Sequence, residues 1–337
     1  MEEYEPRIVG FFQKHLCERG TTIAMYDYAL ANEQICGNVS IIFYYPEHPY
    51  NSPRVIDKFQ THFILIPCKD WNDVERFIQE INVNYLYIIK HGSNDGIISS
   101  KIPCLIHAVF SWDPHGNYAT VSKTLAEKHN GKWLPHIVNP LPFHKNGRDL
   151  FREKYGIPKD AYVYGRYGGK DTFSINYVKE VIREDLDKYP NIWFVFVNTD
   201  LFILHPRVLF LPSIIELSQK GDYIQACDAM IHGRMEGETF GLAVAEFISG
   251  GKPVLTCKAI TTDDNEHIKL GKDWIYQYNN KEELRNLLWK TPVKSFEPLQ
   301  FEVPRVNPYT ELSSESVMRI FGEILGDVDS FTNLKKR

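Results

Sequence analysis

Short apolar runs alternate with segments of helical periodicity along the chain, and this alternation restricts the fold more than any other feature of the sequence. Residues 21–32 and 71–81 have helical patterns in the first half. The apolar runs have the length of strands and lie at 7–12, 39–45, 61–67, 85–90, 103–110, 162–165, 192–197, 208–211, 229–231 and 253–256. This order is typical of parallel sheets with crossover helices, so the sequence predicts an α/β protein with doubly wound sheets.

A proline-rich segment separates the two series of predicted strands. Residues 133–142 contain three prolines, which fix backbone angles and suppress helix formation. A chain of 337 residues is also longer than one hydrophobic core normally holds. We therefore predict Rossmann-like domains at 1–141 and 146–308, and a carboxyl-terminal segment at 309–337. In that segment a helix is expected at 311–325 and a loose basic tail from residue 327.

Charge and cysteine content restrict the partners and the compartment. The net charge of −5 and the pI near 6.2 give no general attraction for nucleic acid, and none is expected as a partner. Six scattered cysteines without a Cys-x-x-Cys pair indicate reduced thiols. The amino terminus is acidic, and no apolar stretch approaches the roughly 20 residues that span a bilayer. We expect a soluble, cytoplasmic protein without a transmembrane segment.

The segment 228–254 carries the strongest functional signal. Its pattern predicts a strand, a glycine-rich turn, a helix that begins near Phe240 and a second strand that opens at Pro253. Glycines let the backbone approach a ligand, and a helix N-terminus presents N–H groups to an anion such as a diphosphate. Glu238 and Glu246 are eight positions apart, which is roughly 12 Å along a helix. One element is therefore predicted to hold both ends of a nucleotide sugar.

This segment resembles a known family, the retaining GT-B glycosyltransferases with a Glu-x7-Glu motif. The family's form is Glu-Gly-Phe-Gly-x4-Glu-Ala-x3-Gly-x-Pro-Val. In this chain it stands as Glu238-Thr239-Phe240-Gly241, then Glu246-Phe247, then Gly251-Lys252-Pro253-Val254. Gly165-Arg166 and the later Lys170 are similar to the Gly-Arg and Lys that follow the first strand of the family's second domain. The likeness is specific over about residues 120–260, and His232-Gly233-Arg234 departs from it where a serine-containing run is usual.

The resemblance implies a GT-B fold, in which two Rossmann-like domains face each other across a cleft. It places the acceptor on the first domain and the donor on the second, with the last helix packed back on the first domain. The implied reaction is a retaining transfer from a nucleotide sugar, a UDP- or GDP-sugar, to a glycan or another acceptor with a hydroxyl group. Two cations and a helix N-terminus would neutralise the leaving diphosphate, so neither a metal nor a cofactor is expected.

The resemblance also implies roles for individual residues. Arg166 and Lys170 would bind the donor diphosphate, Glu238 would face the donor sugar, and Glu246 would accept hydrogen bonds from the ribose. His107 is added to the predicted catalytic set Glu238, Arg166 and Lys170, because relatives often place a histidine near the donor sugar. The predicted donor contacts are Gly20, Thr21, Arg166, Lys170, Glu238, Thr239, Phe240, Gly241 and Glu246.

Each of these residues has a structural alternative. Glu246 is nearly alone in an apolar helix, where a carboxylate needs a partner, and Glu236 competes with Glu238 for the sugar contact. Arg166 and Lys170 are alternatively surface charges at a strand end, and His107 a core or surface histidine. Gly20 and Thr21 either offer N–H groups to a phosphate or start a helix at Thr21 or Thr22. The acidic cluster 263–267 lies in a polar loop and is not expected to bind a metal.

Three other functions compete with glycosyl transfer. A GT-B epimerase or hydrolase acting on a nucleotide sugar would share the phosphate residues but needs further acid–base groups. A non-catalytic nucleotide-sugar-binding module is disfavoured because both glutamates and both cations are present. A dinucleotide-dependent oxidoreductase is disfavoured because no Gly-x-Gly-x-x-Gly follows the first strand.

Overall fold

The computed structural model describes residues 5–289, 304 and 306–332. Its strands are β1 (Ile8–Phe12), β2 (Val39–Tyr44), β3 (Ile64–Pro67), β4 (Tyr85–Lys90), β5 (Cys104–Ala108), β6 (Asn117–Thr120), β7 (Lys132–Trp133), β8 (Tyr162–Tyr167), β9 (Ile192–Val197), β10 (Val208–Leu211), β11 (Ala229–Ile231), β12 (Val254–Thr256) and β13 (Ile275–Gln277). Its helices are α1 (Gly20–Gln34), α2 (Pro53–His62), α3 (Trp71–Glu80), α4 (Lys123–Lys128), α5 (Gly147–Lys154), α6 (Asn176–Asp185), α7 (Leu217–Ala226), α8 (Leu242–Ser249), α9 (Glu266–Gly271), α10 (Lys281–Leu288), α11 (Ser314–Leu325) and α12 (Asp329–Thr332).

The chain forms two compact units, each built on one parallel sheet. The first unit comprises residues 1–137 and 311–337, and its sheet has the strand order β3-β2-β1-β4-β5-β6-β7. The second unit comprises residues 138–310, and its sheet has the order β10-β9-β8-β11-β12-β13. Both sheets are doubly wound α/β sheets, as the alternating sequence pattern predicts.

The central strands form because they are continuous apolar runs, which suit a parallel sheet covered on both faces. β9, with the sequence Ile-Trp-Phe-Val-Phe-Val, is buried at five of its six residues. β4 and β5 pair in register from Leu86 opposite Cys104 to Lys90 opposite Ala108. Each sheet therefore places the carboxyl ends of its strands along one edge, where the loops that follow the strands meet.

The last helices belong to the first unit. α11 packs on α1, where the Phe321 ring lies 5.8 Å from Tyr28 and 5.6 Å from Tyr87. The expected loose tail is wrong for residues 329–332, which form α12 and bury Phe331 against Phe321 at 5.0 Å. An apolar ring within the basic tail supplies the burial that orders it. Residues 333–337 of the predicted tail lie outside the described residues.

Two further features concern the thiols and the helices. All six cysteines are free and buried. Among the described residues, no helix has both the length and the apolar character needed to cross a membrane.

Candidate functional site

The second sheet reverses its winding between β8 and β11. From β8 the strand order runs through β9 to β10, and from β11 it runs the other way through β12 to β13. β8 and β11 pair directly, with Tyr164 opposite Ala229 and Gly165 opposite Met230. In open α/β sheets, ligands bind outside the carboxyl ends of the strands at such a reversal. Arg166 lies near the carboxyl end of β8, Lys170 follows β8 and Glu238 follows β11, so the topology brings these predicted residues to one edge.

Arg166 is a buried cation whose side chain is held by neutral groups. Its guanidinium donates to the carbonyls of Asn198 and Gly169 and to the hydroxyls of Thr199 and Thr172. Burial lowers the pKa of Arg166 to about 10, which still leaves the side chain charged at neutral pH. The loops after β8 and β9 therefore hold the Arg166 charge at the sheet edge. Its partners are neutral oxygens, so the charge is not cancelled and attracts anions.

Lys170 has a different environment. Its side chain is 74% exposed, and its ammonium lies 3.7 Å from Asp200, which is itself 61% exposed. An exposed pair at this distance is worth little and is easily exchanged. The structure therefore gives Arg166 a fixed geometry and leaves Lys170 able to move toward a ligand.

The glycine-rich turn positions Glu238 ahead of the helix instead of on it. α8 begins at Leu242, and its N-cap Gly241 has φ 84°, a left-handed conformation that favours glycine. The helix predicted to begin near Phe240 is present and begins two residues later. Glu238 pairs in a bridge with Asn265, so the separation of roughly 12 Å along one helix does not describe Glu238 and Glu246.

Glu238 is held on both carboxylate oxygens. Its Oε1 lies 3.2 Å from His232 Nε2, and its Oε2 accepts from Arg234 Nη1 at 2.9 Å. Burial raises the pKa of Glu238, but the hydrogen bond from His232 and the charge of Arg234 outweigh burial and lower it to about 2. The carboxylate is therefore ionised and oriented, and 23% of the side chain is exposed.

Thr239, Phe240 and Gly241 support this turn from within. Thr239 and Phe240 are buried, and the Phe240 ring packs on Tyr309 at 6.2 Å. The predicted donor contacts of these residues therefore stay predictions, and they would be made by the backbone and by the start of α8, where the first N–H groups lack an intrahelical partner.

Glu246 lies on α8 and forms a buried ion pair with Lys220 of α7. Lys220 Nζ lies 2.6 Å from Glu246 Oε1, and both side chains are at most 7% exposed. The Lys220 ammonium also lies 5.1 Å from the centroid of the Tyr167 ring at the end of β8. The sequence indicates that this carboxylate needs a partner, and the partner is Lys220.

His107, Gly20 and Thr21 lie in the first unit. His107 is fully buried on β5, its Nδ1 is 2.7 Å from the Tyr87 hydroxyl, and its Nε2 is 2.8 Å from the Leu134 carbonyl. Burial, followed by the charge of neighbouring His136, holds the pKa of His107 well below its usual range. These contacts match the core alternative for His107.

Gly20 and Thr21 begin α1, which follows β1 at the point where the first sheet reverses its winding. Arg19 is the N-cap residue, so the alternative in which Thr21 or Thr22 starts the helix is wrong by one or two positions. Thr21 accepts a hydrogen bond from Gln13 Nε2 at 2.9 Å. This contact ties the start of α1 to the loop after β1 and leaves the backbone N–H role of Gly20 and Thr21 a prediction.

The chain is similar to known proteins in structure but not in sequence. No protein-family profile and no curated protein sequence matches the chain. The structure is similar to HepE of Anabaena in complex with UDP-glucose, with a TM-score of 0.62 and 13% identity over 96% of this chain and 97% of that one. The chain has the fold of GT-B glycosyltransferases.

Two further structures extend this similarity. A glycosyltransferase of Rickettsia africae has a TM-score of 0.61 and 12% identity over 98% of this chain and 95% of that chain. MnaA of S. aureus, in complex with UDP, has a TM-score of 0.59 and 13% identity over 96% and 97%. At identities this low, the structural similarity establishes the GT-B fold alone.

Three residues of the site were not predicted from the sequence: His232 and Arg234, which hold Glu238, and Lys220, which holds Glu246. For His232 and Arg234 the only indication in the sequence was that residues 232–234 depart from the serine-containing run of the family. The acidic cluster proves to be partly helical, with Glu266 and His267 in α9. Nowhere in the described ranges do three or more His, Cys, Asp or Glu residues form a group suited to a metal ion.

Gly237 gives a direct test of the turn that carries Glu238. It has φ 66°, and an added Cβ would lie 2.1 Å from the Asp264 carbonyl oxygen. We expect Gly237→Ala to lower the free energy of unfolding by about 1–3 kcal/mol, measured by denaturant titration. Gly251→Ala is the matched control, because Gly251 has φ 78° but open space around its Cβ position. Equal losses in the two variants would show that the contact with Asp264 does not constrain the turn.

Proposed function

We propose that this protein is a glycosyltransferase that moves a sugar from a nucleotide-sugar donor to an acceptor hydroxyl, without a metal and with retention of anomeric configuration. The observation that carries the proposal is the meeting of Arg166 and the fixed carboxylate of Glu238 where the second sheet reverses its winding. HepE and MnaA, which share the fold, were solved with UDP-glucose and UDP, and this supports a UDP-sugar as donor. The first unit would hold a glycan or another hydroxyl acceptor.

In the proposed reaction, the second unit has to stabilise a nucleoside diphosphate as it leaves. As the bond from the anomeric carbon to the diphosphate breaks, negative charge grows on the phosphate oxygens. Arg166, Lys170 and the start of α8 would stabilise that charge, in the way that preorganised donors stabilise a developing anion. The acceptor oxygen then bonds to the anomeric carbon on the same face, and its proton passes to a phosphate oxygen.

Arg166 would exchange neutral partners for phosphate oxygens. Hydrogen bonds between ionised partners are roughly twice as strong as neutral ones, so the exchange from hydroxyls and carbonyls to a diphosphate is favourable. The six free, buried cysteines support a reducing compartment, and we propose a cytoplasmic location.

A nucleoside diphosphate is expected to bind in the presence of EDTA. The physical reason is that Arg166, Lys170 and the start of α8 provide the positive charge that a metal supplies elsewhere. Thermal-shift screening with UDP, GDP, ADP and CMP identifies the base, since a ligand at 100 times its dissociation constant stabilises by about 2.7 kcal/mol. Binding that vanishes in EDTA and returns with Mg²⁺ or Mn²⁺ would contradict a metal-independent site.

Transfer itself is tested with the sugar form of the nucleotide that binds. NMR of the product reports the configuration of the new glycosidic bond, and an inverted product would contradict the retaining mechanism. Tight binding of the nucleotide sugar with neither transfer nor hydrolysis would instead show a non-catalytic binding module.

Arg166→Ala is expected to weaken nucleoside diphosphate binding by about 1.5–3 kcal/mol, the range for hydrogen bonds to charged groups. Lys170→Ala is expected to cost about 1 kcal/mol, because its exposed ammonium gives up more hydration on binding. Calorimetry measures both. Arg183→Ala, which removes an exposed guanidinium of α6 bonded to the Phe202 carbonyl, is the control and is expected to leave the affinity unchanged. If Arg166→Ala binds as tightly as that control, the phosphate site lies elsewhere.

A further inference from the structure

A chain of hydrogen bonds runs behind Glu238 through three buried residues. His232 follows β11, Thr256 ends β12, and His267 lies in the first turn of α9. The Thr256 hydroxyl lies 3.1 Å from His267 Nε2 and 2.8 Å from His232 Nδ1, and His232 Nε2 lies 3.2 Å from Glu238 Oε1. The three residues are at most 5% exposed, so water does not compete for these contacts.

The donor and acceptor roles along this chain of hydrogen bonds follow from His267, which lies at the end away from Glu238. His267 Nδ1 is buried and has no hydrogen-bond partner within the part of the protein that the structure describes. A buried N–H group without an acceptor is rarer and costlier than a buried lone pair, so the proton of this imidazole belongs on Nε2. Burial, followed by the charge of His232, lowers the pKa of His267 to about 3, and the ring therefore carries only that one proton. His267 donates to Thr256.

The Thr256 hydroxyl then determines which nitrogen of His232 is the acceptor. Having accepted from His267, it has one proton to donate, either to His232 Nδ1 at 2.8 Å or to the carbonyl of Cys257 at 3.3 Å. The shorter contact is the stronger hydrogen bond. His232 Nδ1 is therefore an acceptor, and the proton of the His232 ring lies on Nε2, which faces the carboxylate.

We propose that His232 is a positioning residue for Glu238: the chain from His267 through Thr256 fixes the Nε2-protonated tautomer of His232, which donates to one carboxylate oxygen while Arg234 donates to the other. Glu238 then cannot rotate or accept a proton without losing a partner. It meets the donor sugar as a fixed acceptor, so the sugar must present a hydroxyl group there and a carboxylate would be repelled. This inference rests on the proposed function.

Two variants of His232 separate positioning from simple packing. The side-chain amide of glutamine can place its nitrogen near the position of His Nε2, and that of asparagine near the position of Nδ1. His232→Gln is expected to keep the donor to Glu238 and to retain kcat within about threefold. His232→Asn places no donor near Glu238 and is expected to lower kcat about tenfold or more, while nucleoside diphosphate affinity stays within about twofold of wild type. Equal kcat values for the two variants would overturn the proposal.

The tautomer is measured separately on the wild-type chain. With ¹⁵N-labelled histidine, two-dimensional NMR at about pH 8 distinguishes an Nε2–H ring from an Nδ1–H ring, and the spectrum of His232→Gln assigns the signal. An Nε2–H ring for His232 supports the proposal, and an Nδ1–H ring overturns it even if a variant fails to fold. A wild-type chain that neither binds a nucleoside diphosphate nor transfers a sugar would refute the proposed function, while the NMR result still reports on the hydrogen-bond chain.

Discussion

Glu246→Gln is expected to lower the free energy of unfolding by about 3 kcal/mol and to weaken a nucleoside diphosphate and its nucleotide sugar by similar factors. The loss of stability follows because Lys220 stays buried beside a neutral amide, and removing one member of a buried ion pair costs about 3–5 kcal/mol. The similar factors follow because both ligands carry the ribose, which the family resemblance predicts Glu246 to bind. Denaturant titration measures the first effect and calorimetry with the two ligands the second.

A double variant separates these two roles of Glu246. Replacing a buried ion pair by apolar residues of similar volume is often neutral, so Lys220→Met with Glu246→Leu is expected to recover most of the lost stability. If Glu246 holds the ribose, the double variant stays defective in nucleotide binding although it is stable. Recovery of nucleotide affinity together with stability would show that Glu246 serves only as the partner of Lys220.

The central strands were predicted from the sequence with bounds that differ little from the structure. Residues 85–90, 192–197 and 229–231 agree with the central strands β4, β9 and β11 at both ends, and 208–211 agrees with the edge strand β10. The central strands are buried on both faces and are therefore continuous apolar runs, which can be recognised in the sequence. The segment 61–67 was too long at its start, because α2 continues to His62 before β3 begins at Ile64.

The outer strands β6, β7 and β13 were not predicted. They have two to four residues and the sequences Asn-Tyr-Ala-Thr, Lys-Trp and Ile-Tyr-Gln. Runs this short and this polar do not differ from loops in composition. Their pairing is fixed by the neighbouring strand, and tertiary structure of that kind overrides local preference.

The sequence pointed to the charged residues of the candidate site, but not to the residues that pair with them. Arg166, Lys170, Glu238 and Glu246 were named from the order of motifs, while Lys220 lies 26 positions from Glu246 and is brought to it only by the packing of α7 beside α8. His232 and Arg234 lie near Glu238 in sequence, but the turn at Gly237 and Gly241 decides which way Glu238 faces. Helical spacing does not describe the distance from Glu238 to Glu246, because α8 begins only after the left-handed Gly241 and Glu238 precedes it.

Glu238→Gln is expected to lower turnover of the nucleotide sugar by about two orders of magnitude and to leave nucleoside diphosphate affinity almost unchanged. The amide keeps the shape of the side chain but loses the charge, and its nitrogen only donates, so one of the two acceptor positions that now serve Arg234, His232 and a sugar hydroxyl is lost. Removing one preorganised electrostatic group from an active site typically costs about 10²–10³ in kcat. The nucleoside diphosphate lacks the sugar, so its affinity does not depend on the contact between Glu238 and the donor sugar.

Glu236→Gln is the matched control for this prediction. Glu236 lies two positions away, its side chain is 47% exposed, and its carboxylate lies 3.6 Å from Arg234 Nε, compared with 2.9 Å between Glu238 and Arg234 Nη1. Its loss of charge is expected to change neither turnover nor affinity by more than about twofold, since exposed ion pairs contribute little. Initial rates of transfer and calorimetry with both ligands decide between the two carboxylates. If Glu236→Gln loses turnover while Glu238→Gln loses diphosphate binding and both stay folded, the sugar contact belongs to Glu236, and the rigid carboxylate of Glu238 serves the phosphate end of the site.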